Sequence, residues 1–91
     1  MSLLNIRLEK LDNSGNQIVL RNYNTREILF KSYGYNIVYI KDGKVYIDKT
    51  YWDYSKTIGK YRNIFLKEDK KITQQKINRK EYKLKNLNKE D

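Results

Sequence analysis

A period of two at the start of the chain, followed by short runs between turn residues, predicts β-strands in the first half of the chain. Residues 4 to 9 alternate strictly between apolar and polar side chains, a period of two that indicates a half-buried strand. Turn-forming residues follow at 13–16, and the pattern then predicts strands from Gln17 to Asn22 and from Glu27 to Ser32. The sequence therefore opens as a meander of antiparallel strands.

The dipeptide Asp42-Gly43 between two β-rich runs predicts a hairpin with a type I′ loop. This loop would set the register of both strands and so decide which residues share a face. Tyr39 would then lie opposite Tyr46 on one face, with Tyr35 and Ile37 nearby. The aliphatic pairs on the other face are Val38 with Ile47 and Ile40 with Val45.

The segment after Trp52 has the period of an amphipathic helix. At about 100° per residue, one stripe of this helix is apolar and would pack on the aliphatic face of the hairpin. Its members are Tyr54, Ile58, Tyr61 and Phe65. The opposite stripe is polar and basic, and consists of Lys56, Lys60, Asn63 and Lys67. Ser55 is the expected N-cap. Gly59 indicates either close packing against Trp52 or the sheet, or a kink.

The C-terminal third predicts a short helix and a last strand. Thr73 is the expected cap of that helix, and Tyr82 and Leu84 alternate with lysines as a strand returning to the sheet. The predicted fold is α+β: an antiparallel sheet of five or six strands packed by one main helix, with a short helix and a C-terminal strand. Residues 1–88 form a single domain, and 89–91 are expected to be a frayed tail.

Positive charge is concentrated in the second half of the chain. Residues 1–54 carry 8 basic and 6 acidic side chains, whereas residues 55–91 carry 12 and 5, so the net charge rises from +2 to +7. Such a field attracts nucleic acid, an anionic membrane or an acidic protein. An AT-rich genome would also raise the lysine content, although it would not explain the uneven distribution.

Several classes of function are disfavoured by residues that the chain lacks. It has no Cys and no His, which removes disulfides, the usual zinc sites and catalysis that depends on imidazole. No cofactor is predicted. The apolar runs are too short to span a membrane, so a cytoplasmic protein is expected. Asp48 and Asp53 lie near lysines, but they favour turn and cap roles over a nuclease site, and no enzymatic activity is predicted.

Three groups of residues are candidates for binding. The basic helix stripe, Lys56, Lys60, Asn63 and Lys67, has the spacing of successive phosphate contacts, or is an ordinary solvated face. Tyr39 and Tyr46 are candidates for stacking on bases, or pack within the sheet. A second basic cluster is formed by Arg79, Lys80, Lys83 and Lys85, and is otherwise a solvated surface. Edge strands that pair between copies would make a homodimer.

The segments 42–47, 51–66 and 73–88 resemble small proteins of unknown function encoded by phages and mobile elements of low-GC bacteria. The motifs are Asp-Gly-Lys-Val-Tyr-Ile, then Tyr-Trp-Asp-Tyr-Ser-Lys-Thr leading to Phe-Leu, then Glu-Tyr-Lys-Leu. Gly59 departs from the pattern, which has a Thr or Ser there. The resemblance implies a non-catalytic accessory protein that binds nucleic acid or a host nucleoprotein complex, most specifically an inhibitor of a host defence nuclease such as a CRISPR effector. The alternative is a plain, sequence-indifferent DNA- or RNA-binding protein.

Overall fold

A computed structural model describes residues 5–88 as one six-stranded sheet with two helices. The strands lie side by side in chain order, and both helices are inserted between the fifth and the sixth. The predicted tail at 89–91 lies outside the described residues. The elements are β1 (Ile6–Lys10), β2 (Gln17–Asn22), β3 (Glu27–Ser32), β4 (Tyr35–Lys41), β5 (Lys44–Asp48), α1 (Lys56–Leu66), α2 (Lys70–Asn78) and β6 (Tyr82–Lys85).

The sheet is mixed, so the prediction of an antiparallel sheet is wrong at its last strand. Strands β1 to β5 form an antiparallel meander, whereas β6 pairs with β5 in parallel. The reason lies in the connection. Parallel neighbours need a long crossover, and α1 and α2 carry the chain across one face of the sheet and back to the end where β5 began. The α+β class and the bounds of β2 and β3 are as predicted.

Strands β4 and β5 are joined through Asp42 and Gly43, whose φ angles are 51° and 80°. Positive φ at both central residues is the requirement of a type I′ loop. Lys41 pairs with Lys44 on either side of this turn, and Tyr39 pairs with Tyr46 further along. The hairpin therefore fixes two tyrosines next to each other on one face of the sheet.

A β-bulge near the start of β4 shifts the alternation of side chains relative to the part of the strand that contains Tyr39. Phe30 pairs with Val38 but the next residue, Lys31, pairs with Asn36, so Ile37 is the extra residue. Ile37 is fully buried in the core. The expectation that Ile37 and Tyr35 lie beside Tyr39 is therefore wrong, because the bulge reverses the alternation of side chains.

The helices cover the aliphatic face of the sheet. Ile58 of α1 is buried, and the ring of Phe65 stacks on Phe30 with centroids 5.3 Å apart. Tyr61 also packs against this core, but Tyr54 is 67% exposed and precedes the helix. Three of the four residues of the predicted apolar stripe thus contact the core, and Tyr54 instead meets the ring of Tyr51 edge-on.

The helix caps agree with the sequence at α1 and differ at α2. Ser55 caps α1 by accepting a hydrogen bond from the Ile58 amide at 3.1 Å. Asp69, not Thr73, caps α2, because its carboxylate accepts from the Ile72 amide at 2.9 Å. Thr73 is buried one turn further on.

Glu68 joins the two helices to β6 at the connection between α1 and α2. Its carboxylate accepts hydrogen bonds from Thr73 Oγ1 at 2.6 Å, Lys76 Nζ at 2.8 Å and Tyr82 Oη at 3.0 Å. Partial burial alone would raise the pKa of Glu68, but these hydrogen bonds and the charge of Lys76 outweigh it and lower the pKa. The ionised carboxylate therefore holds α2 against the parallel edge of the sheet.

Replacing Phe65 by Ala should cost roughly 2 to 4 kcal/mol of unfolding free energy, because the ring leaves a gap against Phe30. Ile64→Ala is the matched control, since Ile64 lies on the same helix and is 48% exposed. Its cost should stay below about 1 kcal/mol. Urea denaturation of both variants measures the difference, and equal losses would contradict the packing of α1.

Acid should destabilise the protein partly through Glu68. Because its pKa is lowered in the native state, Glu68 contributes stability above its ordinary value of 4.5, and that contribution is lost as pH falls through the native value. Glu68→Gln should therefore lower stability at pH 7 and flatten its decline below pH 4.5. Denaturation at a series of pH values tests this, with the exposed Glu81→Gln as control. If the stability of Glu68→Gln fell with decreasing pH as steeply as that of the parent protein, the role of the carboxylate would be contradicted.

Candidate nucleic-acid interface

The face of the sheet opposite the helices is uncovered among residues 5–88, and it carries an apolar row. Val19 and Phe30 point into the core, so their neighbours Leu20 and Leu29 point to the other face. The register then aligns five strands: Leu8 pairs with Leu20, Leu20 with Leu29, Leu29 with Tyr39, and Tyr39 with Tyr46. At about 4.8 Å per strand the row is about 19 Å long. We call it the open-face row.

Strand β1 contributes apolar residues to this uncovered face and none to the core. All five of its residues are exposed, including Leu8 at 56% and Ile6 at 37%. The predicted half-buried strand is therefore present but not half-buried, because no helix lies over either of its faces in the described part of the chain. A contiguous apolar surface that stays in water marks a contact site in many proteins.

Two tyrosine rings lie at one end of the open-face row. Tyr39 and Tyr46 have centroids 6.1 Å apart with an angle of 30° between the rings. Lys85 places its Nζ 4.8 Å from the centroid of Tyr46. The parallel pairing puts Lys83 directly beside Tyr46 as well. Two aromatic planes and two cations thus meet on one surface.

The hydroxyl of Tyr39 donates a short hydrogen bond to the Glu27 carboxylate. This bond, followed by burial and the charge of Glu27, raises the pKa of Tyr39 to about 12. The Tyr39 ring is therefore neutral across physiological pH. Glu27 also lies 3.9 Å from Lys41, and its contacts with the Thr25 and Tyr39 side chains lower its pKa. This carboxylate is thus held by partners at the edge of the row.

Lysines surround the open-face row. The alternation along each strand places six lysines on this face: one in β1, one in β3, one on each side of the turn between β4 and β5, and two in β6. The acidic Glu27 lies among them. These lysines are Lys10, Lys31, Lys41, Lys44, Lys83 and Lys85. The uncovered face is accordingly apolar in the middle and positive at its rim.

The predicted C-terminal basic cluster divides into two parts. Lys83 and Lys85 join the tyrosines on the open face. Arg79 and Lys80 instead lie in the turn after α2, where Arg79 Nε forms an ion pair with Glu81 at 2.9 Å. The sequence grouped all four by proximity in the chain, whereas the strand β6 separates them in space.

The basic stripe of α1 lies with the helix layer, on the other side of the sheet from the tyrosines. Lys56 and Lys60 are exposed, and Asn63 is half-buried. Lys67 is not part of the helix, because it caps the C-terminus in a left-handed conformation with φ of 58°. The stripe is therefore shorter than predicted. It borders a shallow depression of about 610 Å³, which also includes Asp53 and Lys70.

Arg62, which the sequence left unassigned, is the most buried cation among residues 5–88, at 1% exposure. Its guanidinium lies 5.0 Å from the Trp52 ring and donates to the Trp52 carbonyl, to Asp53 Oδ1 at 3.3 Å and to Asn63 Oδ1 at 2.9 Å. The Oδ1 of Asn63 is therefore already hydrogen-bonded within the protein. A Cβ on Gly59 would meet Asp53 at 3.5 Å, an ordinary contact, so Gly59 lies over this pair and not against Trp52.

Both carboxylates considered for catalysis have structural partners. Asp48 is fully buried and accepts from the amides of Tyr51 and Leu87, each at 2.7 Å. Asp53 binds Arg62 and Lys70. Partial burial would raise the pKa of Asp53, but hydrogen bonds from Lys70 and Arg62 outweigh it and lower the pKa. Residues 5–88 contain no cluster of three or more His, Cys, Asp or Glu side chains able to hold a metal ion.

No protein-family model, no curated protein and no solved structure matches the chain. Within residues 5–88, neither helix is long and apolar enough to cross a membrane.

The leucines of the open-face row were missed in the sequence, although a signal for them exists. The runs Ile18-Val19-Leu20 and Ile28-Leu29-Phe30 are apolar without interruption. Such runs indicate strands with apolar side chains on both faces. One layer of helices covers one face only, so the second apolar face was readable from the sequence.

Arg62→Lys should destabilise the protein by about 2 to 3 kcal/mol, because lysine cannot reproduce the planar fork that binds Asp53 and Asn63 while stacking on Trp52. Trp52 is the single tryptophan, so its fluorescence reports the change directly. Arg79→Lys is the control, since Arg79 forms an exposed pair. Parental stability and emission in Arg62→Lys would contradict the role assigned to Arg62.

Proposed function

We propose that the protein binds single-stranded nucleic acid on the uncovered face of its sheet, without reading sequence. The observation that supports this most is the combination of Tyr39, Tyr46 and an apolar row inside a rim of lysines. Stacking on aromatic rings and electrostatic contact with phosphates are the two components of sequence-tolerant binding to single strands.

Single strands suit this surface better than duplexes do. In a duplex the bases are stacked on each other and only the backbone is offered to a flat surface, so the open-face row would stay uncovered. In a single strand the bases can be splayed onto the rings and leucines while the phosphates lie over the lysine rim. The surface therefore favours exposed bases.

Lys85 does not block stacking on Tyr46. A cation over an exposed ring contributes about 0.5 to 1 kcal/mol, whereas a stacked base contributes about 1 to 3 kcal/mol. A base can therefore displace the ammonium group, which then lies beside the ring within reach of a phosphate. Lys83 and Lys85 are the residues that we expect to neutralise phosphates.

The basic stripe of α1 is the weaker candidate. Of the two rings near Lys56 and Lys60, Tyr61 packs against the core and Tyr54 meets Tyr51 edge-on, so no pair of stacked rings is presented there. Asp53 also places a negative charge in the adjoining depression. Inhibition of a host defence nuclease stays a prediction from the resemblance to phage proteins, as does an origin in a phage or mobile element. A basic surface that binds single strands is compatible with both, and catalysis is not part of the proposal.

The experiment compares two variants with equal loss of charge: Lys83→Gln with Lys85→Gln, and Lys56→Gln with Lys60→Gln. Binding of labelled oligo(dT) and oligo(U) is measured over a series of salt concentrations. The open-face pair should weaken binding and reduce the slope of log affinity against log salt by up to about 1.4, or about 0.7 per lost contact. The α1 pair should leave the slope nearly unchanged. The reverse result would move the site to α1.

Stacking is tested separately at Tyr46. Tyr46→Leu should weaken binding by about 5- to 150-fold, the equivalent of one stacked base, because the apolar volume stays but the π face is lost. Tyr46→Phe keeps the ring and should bind like the parent. If neither oligonucleotide binds the parent protein at low salt, the proposed function is wrong.

A further inference from the structure

We propose that the protein forms a two-fold symmetric dimer through the free edge of β1, which joins the open faces of two copies into one surface. The inference rests on backbone and charge of β1 and not on the proposed function. Among the described residues, no strand pairs with the outer edge of β1. Such an edge is a template for a further strand.

The hydrogen bonds of β1 show which backbone groups are free. The Leu11 amide donates to Gln17 and the Asn5 carbonyl accepts from Tyr23, so the odd-numbered residues face β2. In an antiparallel ladder the bonding direction alternates from one residue to the next. Ile6, Leu8 and Lys10 therefore direct their N–H and C=O groups away from β2, towards the empty side.

A second copy of β1 satisfies these groups in one register, with the two-fold axis at Leu8. Leu8 then pairs with the Leu8 of the second copy, and Ile6 pairs with its Lys10. Each pair is of the type in which two residues exchange both backbone bonds. In the same register Arg7 of one copy lies opposite Glu9 of the second copy. This is a non-hydrogen-bonded position, where side chains come closest.

The charges of β1 match this arrangement better than they match the monomer. Within one chain Arg7 lies directly opposite Arg21, a repulsive cross-strand pair. Glu9 lies 3.6 Å from Arg21, and no acidic residue in the described part of the chain forms an ion pair with Arg7. Glu9 of the second copy would supply that partner, and the two-fold axis makes the contact twice.

The dimer also continues the open-face row. Leu8 ends the row in each copy, so pairing at Leu8 makes a single row from the tyrosines of one copy to those of the other. β1 carries no proline and no bulge, and the charges of Arg7 and Glu9, which would otherwise discourage pairing at this edge, face each other across the two-fold axis in this register. Stacking of two open faces on each other is disfavoured instead, because it would bring the lysine rims together.

Charge reversal at the β1 edge tests the register. Arg7→Glu places a carboxylate opposite Glu9 of the second copy, and Glu9→Arg places a guanidinium opposite the second copy's Arg7. Each variant alone should weaken self-association by about tenfold or more, since both symmetric contacts become repulsive. Arg7→Glu also removes the repulsion with Arg21, so a loss of dimer in that variant is not caused by unfolding. Lys71→Glu on α2 has the same change of charge and is the control.

The decisive sample is an equal mixture of the two variants. One copy then carries two acidic residues and the other two arginines, so every cross-strand contact becomes attractive, and the mixture should form a heterodimer. Sedimentation equilibrium without nucleic acid measures all samples. A parent protein that stays monomeric up to about 1 mM would overturn the proposal. Variants that each dimerise like the parent, or a mixture that does not associate, would overturn it as well.

Discussion

Burial of only one face of the sheet is the constraint on which the rest of the structure depends. The described chain has two short helices, and both pack on the face that holds Phe30 and Ile47. The hydrophobic effect makes that face the core, since Ile58 and Phe65 remove it from water. The opposite face is left to solvent even though leucines and tyrosines line it. The surface available for binding is thus a direct consequence of how little helix there is to cover the sheet.

Polar contacts fix the helix layer in place around this small core. Arg62 ties α1 to the turn that contains Trp52 and Asp53, and Glu68 ties α2 to Tyr82 on β6. Arg62 and Glu68 each have several polar partners, although the Nε of Arg62 has none in the described residues, and such partners are the condition under which burial of a charge is tolerated. These contacts orient the crossover that makes β6 parallel. They thereby deliver Lys83 and Lys85 to the face with the tyrosines.

The local structure was largely predictable because local signals determine it. The turn residues at 13–16 and near 24–25 located β2 and β3, and Ser55 marked the start of α1. The relative direction of β6 was not predictable from alternation, since a strand has the same period whether it pairs in parallel or antiparallel. The bulge at Ile37 was also invisible, because an extra residue in one strand depends on how its partner packs.

The tyrosines and the β6 lysines of the candidate site were predicted from the sequence, but its leucines and the grouping of these residues on one face were not. Tyr39 and Tyr46 followed from the turn at Asp42-Gly43, which sets the register. Their association with Lys83 and Lys85 depends on the crossover of two helices, a contact between residues far apart in sequence. The burial of Arg62 could not be predicted from the sequence, because arginine is rarely buried and its partners Trp52 and Asp53 lie in a turn before the helix.

Nuclear magnetic resonance with a short single-stranded oligonucleotide tests the central claim most directly, because it locates the contact surface residue by residue. Backbone amide shifts recorded during a titration should change along the open-face row and at β6, chiefly at Leu20, Leu29, Tyr39, Tyr46 and Lys83. Amides of α1 should stay close to their free positions. Shifts concentrated at Lys56 and Lys60, with the open face unaffected, would contradict the account.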